Sequence, residues 1–229
     1  MKTLALYSLC IIALIFQSCG DSTAPTSEPD LIDLRNNRTY KTVRIGSQVW
    51  MAENLDVVTF RNGTNIPEAR SEAEWVEAEI KQQPVWCYYL NDPHNTGRYG
   101  KLYNVYAVID ARGIAPEGWH VPSDEEWTVL SDYLGGDSVA GGKMKSTSEW
   151  YSPNVNATNS SGFNAKGFGH RDKRGPFISY GYETKFWSTT RPNSSGGNYY
   201  VRWLNNVDGN LGRGVQDGVR GIYIRCVKD

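Results

Sequence analysis

Few residues of this 229-residue chain have types and spacing suited to catalysis. The nearest thing to a carboxylate pair is Glu125-Glu126, of use in general acid–base work only if both groups face one substrate. Neighbours on a helix point about 100° apart. Ser123 with Glu126 three residues on is the pattern of a capping box, so the pair is expected to serve a helix start. His120 precedes that helix, beside Trp119, with no Ser or Cys nearby in sequence for it to activate, so a hydrogen-bonded structural role is expected. Three scattered histidines (His94, His120, His170) and two cysteines do not make a metal set. No Gly-x-Ser-x-Gly elbow, P-loop or His-Glu-x-x-His occurs. The chain is therefore expected to be no enzyme, with no metal and no cofactor.

Residues suited to binding are better represented. Trp203, Asn205, Asn206 and Asp208 combine a ring that stacks on a sugar face with side chains that fix hydroxyls; the other reading of the same residues is a core tryptophan followed by turn formers. Arg171-Asp172-Lys173-Arg174 reads as a solvated charged turn. Beyond Cys10 and Cys19, the chain holds Cys87 and Cys226, which suit either one long-range bridge or two buried thiols.

The amino end decides the compartment. Met1-Lys2 is positive, and Leu4 to Phe16 is an apolar run of about 13 residues, short of the roughly 20 that span a bilayer. Ser18-Cys19 follows it, a small residue before cysteine, as in the lipobox of bacterial lipoproteins. Residues 1–18 are thus read as a lipoprotein signal peptide and Cys19 as the lipid attachment, which places the rest in the cell envelope, facing the periplasm or the cell surface. Residues 19–38, poor in large apolar side chains, are expected to be a flexible tether. Residues 39–229 are long enough for one domain with a real core. With a net charge of −1 and no basic run, nucleic acid is not an expected partner.

The elements that must position these residues are legible in patches. Gly46-Ser47 between alternating runs predicts a hairpin, and Asn62-Gly63 another turn. Ser71 with Glu74 predicts a capping box and a helix stopped by Pro84. Residues 85–90 read as a strand. The clearest helix starts at Ser123, carries Trp127, Leu130 and Leu134 on one face, and ends at Gly135-Gly136. Residues 137–198 read as long loops pinned by aromatics, with short strands between. Residues 199–204 and 221–227 read as strands with Asp208-Gly209-Asn210 turning between them. Two helices, small antiparallel sheets and long irregular loops give an α+β domain.

Seven ordered blocks carry a resemblance. Val49-Trp50-Met51-Ala52-Glu53-Asn54-Leu55, Tyr99-Gly100-Lys101-Leu102-Tyr103-Asn104 and the run from Pro116 to Trp127 (Pro-Glu-Gly-Trp-His-Val-Pro-Ser-Asp-Glu-Glu-Trp) resemble the Fibrobacter succinogenes major paralogous domain. So do Gly141-Gly142-Lys143-Met144-Lys145-Ser146-Thr147, Ser161-Gly162-Phe163-Asn164-Ala165, Phe186-Trp187-Ser188-Thr189-Thr190 and the closing Ile224-Arg225-Cys226-Val227-Lys228-Asp229. The resemblance covers about residues 40–229. It implies a secreted or lipid-anchored bacterial protein whose biochemical role is unassigned. The Gly-Trp-His-Val-Pro-Ser block and the closing Arg-Cys also resemble the formylglycine-generating-enzyme branch, which implies a C-type-lectin-like fold.

Many relatives carry a further cysteine pair, where this chain has Thr96 and Ala115; their joint absence supports a disulfide between Cys87 and Cys226. The chain lacks the Glu-Pro-Asn and Trp-Asn-Asp signatures of calcium-dependent lectins, and calcium takes about six to eight oxygens. The expectation is a non-catalytic binding module, held at a membrane by its lipid, for a glycan or an envelope protein. The alternatives are an enzyme derived from the formylglycine-generating fold, which would need a redox-active cysteine pair, and a purely structural envelope component.

Overall fold

The computed structural model describes residues 26–95, 97–193 and 196–229. The signal segment and Cys19 lie outside the described residues. The chain enters through β1 (Thr26–Ser27), β2 (Leu31–Asp33), β3 (Arg38–Tyr40), β4 (Thr42–Ile45) and β5 (Gln48–Met51). Gly46, with φ +60°, turns β4 into β5 in the expected hairpin, Ile45 opposite Gln48.

The flexible tether expected over 19–38 is corrected from Thr26 onward. β1 pairs with β4, and β2 with β3. Asp33 is only 2% exposed and accepts from the backbone and side chain of Arg35, whose guanidinium also donates to the main-chain oxygens of Thr59 and Ile114. A segment poor in apolar residues is ordered here by main-chain pairing and one buried ion pair, which composition does not reveal.

Helix α1 (Glu72–Ile80) starts where Ser71 Oγ accepts from Glu74 N, but Glu74 reaches back to Arg70 N rather than Ser71 N, so the expected box is half formed. The strand expected over 85–90 shrinks to β6 (Trp86–Cys87), which pairs with β7 (Leu102–Tyr103). The one-turn helix α2 (Val105–Val108) is capped by Asn104 Oδ1, which also accepts from Val85 N. After β8 (Trp119–His120), the full capping box of Ser123 and Glu126 opens α3 (Asp124–Tyr133).

Helix α4 (Asp137–Met144) occupies a stretch whose sequence predicts loop. Its consecutive glycines, poor helix formers, are required by contact: a Cβ at Gly141 would lie 2.1 Å from Asn210 O, and one at Gly142 2.5 Å from Asn156 O. The two helices expected from the sequence are four among the described residues. The rest of 137–198 holds β9 (Phe168–Arg171), β10 (Phe177–Tyr180) and β11 (Glu183–Trp187); β12 (Asn198–Asn205), β13 (Gly212–Asp217) and β14 (Val227–Lys228) complete the order.

One five-stranded sheet runs β1-β4-β5-β14-β8 and the other β10-β9-β11-β12-β13. Its β9–β11 pair is parallel, against the antiparallel expectation. The turn at Asp208-Gly209-Asn210 joins β12 to β13 instead of leading straight to 221–227. That last segment stitches the molecule together. Gly221 bridges Arg171, Ile222 bridges Tyr103, Tyr223 bridges Phe186, and Val227 sits between Trp50 and His120.

Two apolar cores result. One gathers Trp50, Trp75, Trp127, Phe163 and Phe186, the other Tyr40, Tyr103, Trp187, Val201 and Ile224. The architecture is mixed α and β, compatible with the α+β class. Among the described residues no helix is long and apolar enough to cross a membrane.

Candidate functional site

Trp203, Asn205, Asn206 and Asp208 lie together at the end of β12, but their side chains are differently employed. Asn205 Oδ1 accepts from Val207 N and Asp208 N, and its amide donates to Asp208 Oδ2. Asp208 Oδ1 accepts from Asn210 N. Asn206 is buried and donates to the main-chain oxygens of Tyr151 and Ser152. These are turn-forming and loop-tying roles.

Trp203 differs. It stands opposite Gly212 on β13 and opposite Lys185 on β11, half-buried against the second core. Its indole lies over the two glycines of β13: a Cβ would meet the ring at 2.1 Å from Gly212 and at 3.0 Å from Gly214. The absence of side chains there seats the ring flat on the strand. On the same row, Lys185 Nζ lies 3.4 Å from His170 Nε2 and 3.1 Å from Glu183 Oε1. His170 Nδ1 is 3.3 Å from Glu183 without the alignment of a hydrogen bond. Burial, with Lys185 and Arg220 nearby, pulls the His170 pKa down to about 3, so the ring is neutral at physiological pH.

A concave site of about 170 Å³ opens where Asn54, Tyr99, Gly100, Asn164 and Arg225 meet. Residues of four of the sequence blocks quoted above converge there. Gly100, φ +75°, lets the chain pass Asn54, whose Cβ would be 2.6 Å from a side chain at that position. Asn54 is positioned by donating to Tyr99 O at 2.8 Å while accepting from Arg225 Nε at 2.6 Å. A charged residue inside the otherwise apolar run Ile224-Arg225-Cys226-Val227 was the available sequence signal for this site.

His120 sits between two carboxylates, Nδ1 2.6 Å from Asp229 and Nε2 2.7 Å from Glu126. Burial opposes the imidazolium, but the two carboxylates outweigh it and raise its pKa above the ordinary value. The Arg171–Arg174 turn is corrected at its first member. Arg171 is fully buried between the rings of Trp75 and Phe177, and donates to the main-chain oxygens of Gly175, Ala69 and Ser71.

The expected Cys87–Cys226 disulfide is overturned: both thiols are free and fully buried. Cys87 belongs to the core of Trp50 and Trp127, Cys226 to that of Tyr40 and Trp187, so each sulfur packs in a different apolar layer. Burial pushes the Cys87 thiol up to about 11 and that of Cys226 further still, so neither is a ready nucleophile. Among the described residues, no group of three or more His, Cys, Asp or Glu side chains is placed to hold a metal ion.

Compared with curated proteins and with solved structures, the chain finds no match. The family model of the Fibrobacter succinogenes major domain matches residues 43–228, from β4 through β14. The chain belongs to the Fibrobacter succinogenes major domain family.

Proposed function

We propose that this protein is a lipid-anchored component of the bacterial cell envelope whose C-type-lectin-like domain binds a glycan or a protein without catalysing a reaction. The lipid is attached at Cys19, after a signal run too short to span a bilayer. Two or more acyl chains would hold it firmly, since one binds only marginally.

The observation that carries the binding reading is the seat of Trp203. A half-buried indole laid over glycines, beside Lys185 and Glu183, is a rigid flat platform flanked by polar groups, the pairing that sugar faces and hot-spot contacts use. The binding role expected for the four residues narrows to Trp203, with Asn205, Asn206 and Asp208 building the turn behind it. The enzyme reading gains no support from two thiols held in separate cores.

A glycan-array screen of the full-length protein in detergent tests this reading. A specific hit should lose about 1–3 kcal/mol of binding free energy in Trp203→Ala. A hit that survives this substitution unchanged removes Trp203 from the site. Metabolic labelling with palmitate tests the anchor, and label retained in Cys19→Ala would sink it.

A further inference from the structure

The cavity between Asn54 and Arg225 has an unbalanced charge. Four cations, Arg38, Arg98, Lys166 and Arg225, line it against one carboxylate, Glu53. Arg38 and Arg98 have acids behind them, Asp56 at 2.7 Å and Glu149 at 2.9 Å, and Asp56 is shared with Lys101. Arg225 and Lys166 have no carboxylate within 4.0 Å among the described residues.

Arg225 is 2% exposed, and burying an uncompensated charge is costly. Its Nε and Nη1 hydrogens are taken by Asn54 Oδ1 and the main-chain oxygens of Met51 and Phe163. Its Nη2 makes one long contact, 3.4 Å to Asn164 O, which leaves donor capacity on that nitrogen. Burial draws the Arg225 pKa down to about 9, with Glu53 pulling the other way; the guanidinium stays charged at physiological pH, and a nearby anion would raise its pKa again.

An unspent guanidinium donor on Arg225 and an unpaired ammonium on Lys166 at a small concave site are the chemistry that recognises an oxyanion. The volume, about 170 Å³, is below that of sites for drug-sized ligands and suits one headgroup. We propose that this cavity binds a single oxyanion group (carboxylate, sulfate or phosphate) between Arg225 and Lys166. The site does not rest on Trp203.

Calorimetric titration of the full-length protein in detergent, at constant ionic strength, tests the proposal with four probes: sodium sulfate, inorganic phosphate, glucuronate and neutral glucose. At least one anion should bind saturably at one site per chain, and glucose should not. Lys166→Gln should weaken that binding about tenfold and Lys166→Glu should abolish it, while Lys228→Gln and Trp203→Ala leave it unchanged. Lys166 sits at the rim, so its variants test the site without removing the buried Arg225. Binding of glucuronate alone assigns the site to a sugar acid; binding of sulfate or phosphate alone assigns it to the free ion or its esters. No saturable anion binding, equal binding of glucose and glucuronate in Trp203→Ala, or affinity unchanged in Lys166→Glu overturns the proposal.

Discussion

Lys145 Nζ donates to the main-chain oxygen of Asp208, 2.7 Å away, and the same ammonium also donates to Val155 O and Asn205 O at 2.8 and 2.9 Å. The side chain is fully buried and closes the ends of two loops on one cation, with carbonyl dipoles in place of a carboxylate. Arg171 and Arg225 are used in the same way, each capping main-chain oxygens of segments far away in sequence. A fold with long irregular loops leaves many carbonyls without a ladder partner, and buried cations satisfy several at once. Lys145→Met keeps the aliphatic stem and leaves three carbonyls unpaired. It should destabilise the protein by on the order of 3 kcal/mol, read as a lower urea midpoint. A loss within experimental scatter would show that water replaces the ammonium.

Gly141→Ala should destabilise, although alanine is the better helix former by about 1 kcal/mol. The added carbon would lie 2.1 Å from Asn210 O, main chain that cannot rotate away. A cost of about 1–3 kcal/mol is expected from overpacking. Thermal unfolding of the variant at or above the wild-type midpoint would contradict the packing of α4 on the β12–β13 turn.

Two histidines should give pH dependences of opposite sign. His170 has its folded pKa lowered to about 3, so its stabilisation is present above the unfolded value of about 6.5 and is lost as pH falls from there toward 3. The slope is at most about 1.4 kcal/mol per pH unit, the limit for one proton. His120 has its folded pKa raised, so its contribution is present below about 6.5 and is lost as pH rises through the folded value. Urea midpoints between pH 4 and 9 for wild type, His170→Gln and His120→Gln separate them. His170→Gln should flatten the acid side and His120→Gln the neutral side. The same profile in all three proteins would refute both assignments.

Cys87 and Cys226 should each be found as free thiols. Without reductant, iodoacetamide should label neither in the native protein and both in denaturant, as read by peptide mass spectrometry. Reductant should leave the melting temperature unchanged. A peptide linking Cys87 to Cys226 would contradict the two-core arrangement.

Local signals were legible in the sequence because their physics is local. The Gly46 turn, the Ser123–Glu126 box and the cap at Ser71 each depend on a few neighbouring residues, and each stands in the structure as hairpin or helix start. The seven blocks sufficed for the family. Segments whose conformation is set by distant partners carry no such local signal. β1 and β2 look like a linker until β4 and β3 pair with them, and α4 looks like a loop until Asn210 and Asn156 explain its glycines.

The sequence by itself determined the family, a mixed α and β class and the starts of α1 and α3, since periodicity and capping act within one or two turns. The tertiary structure alone decided that the cysteines stay apart, that Trp203 lies over Gly212, and that Arg225 reaches Asn54 across 171 residues. Contacts of that span depend on how the whole chain closes on itself, with β14 between β5 and β8, and no local pattern encodes the closure.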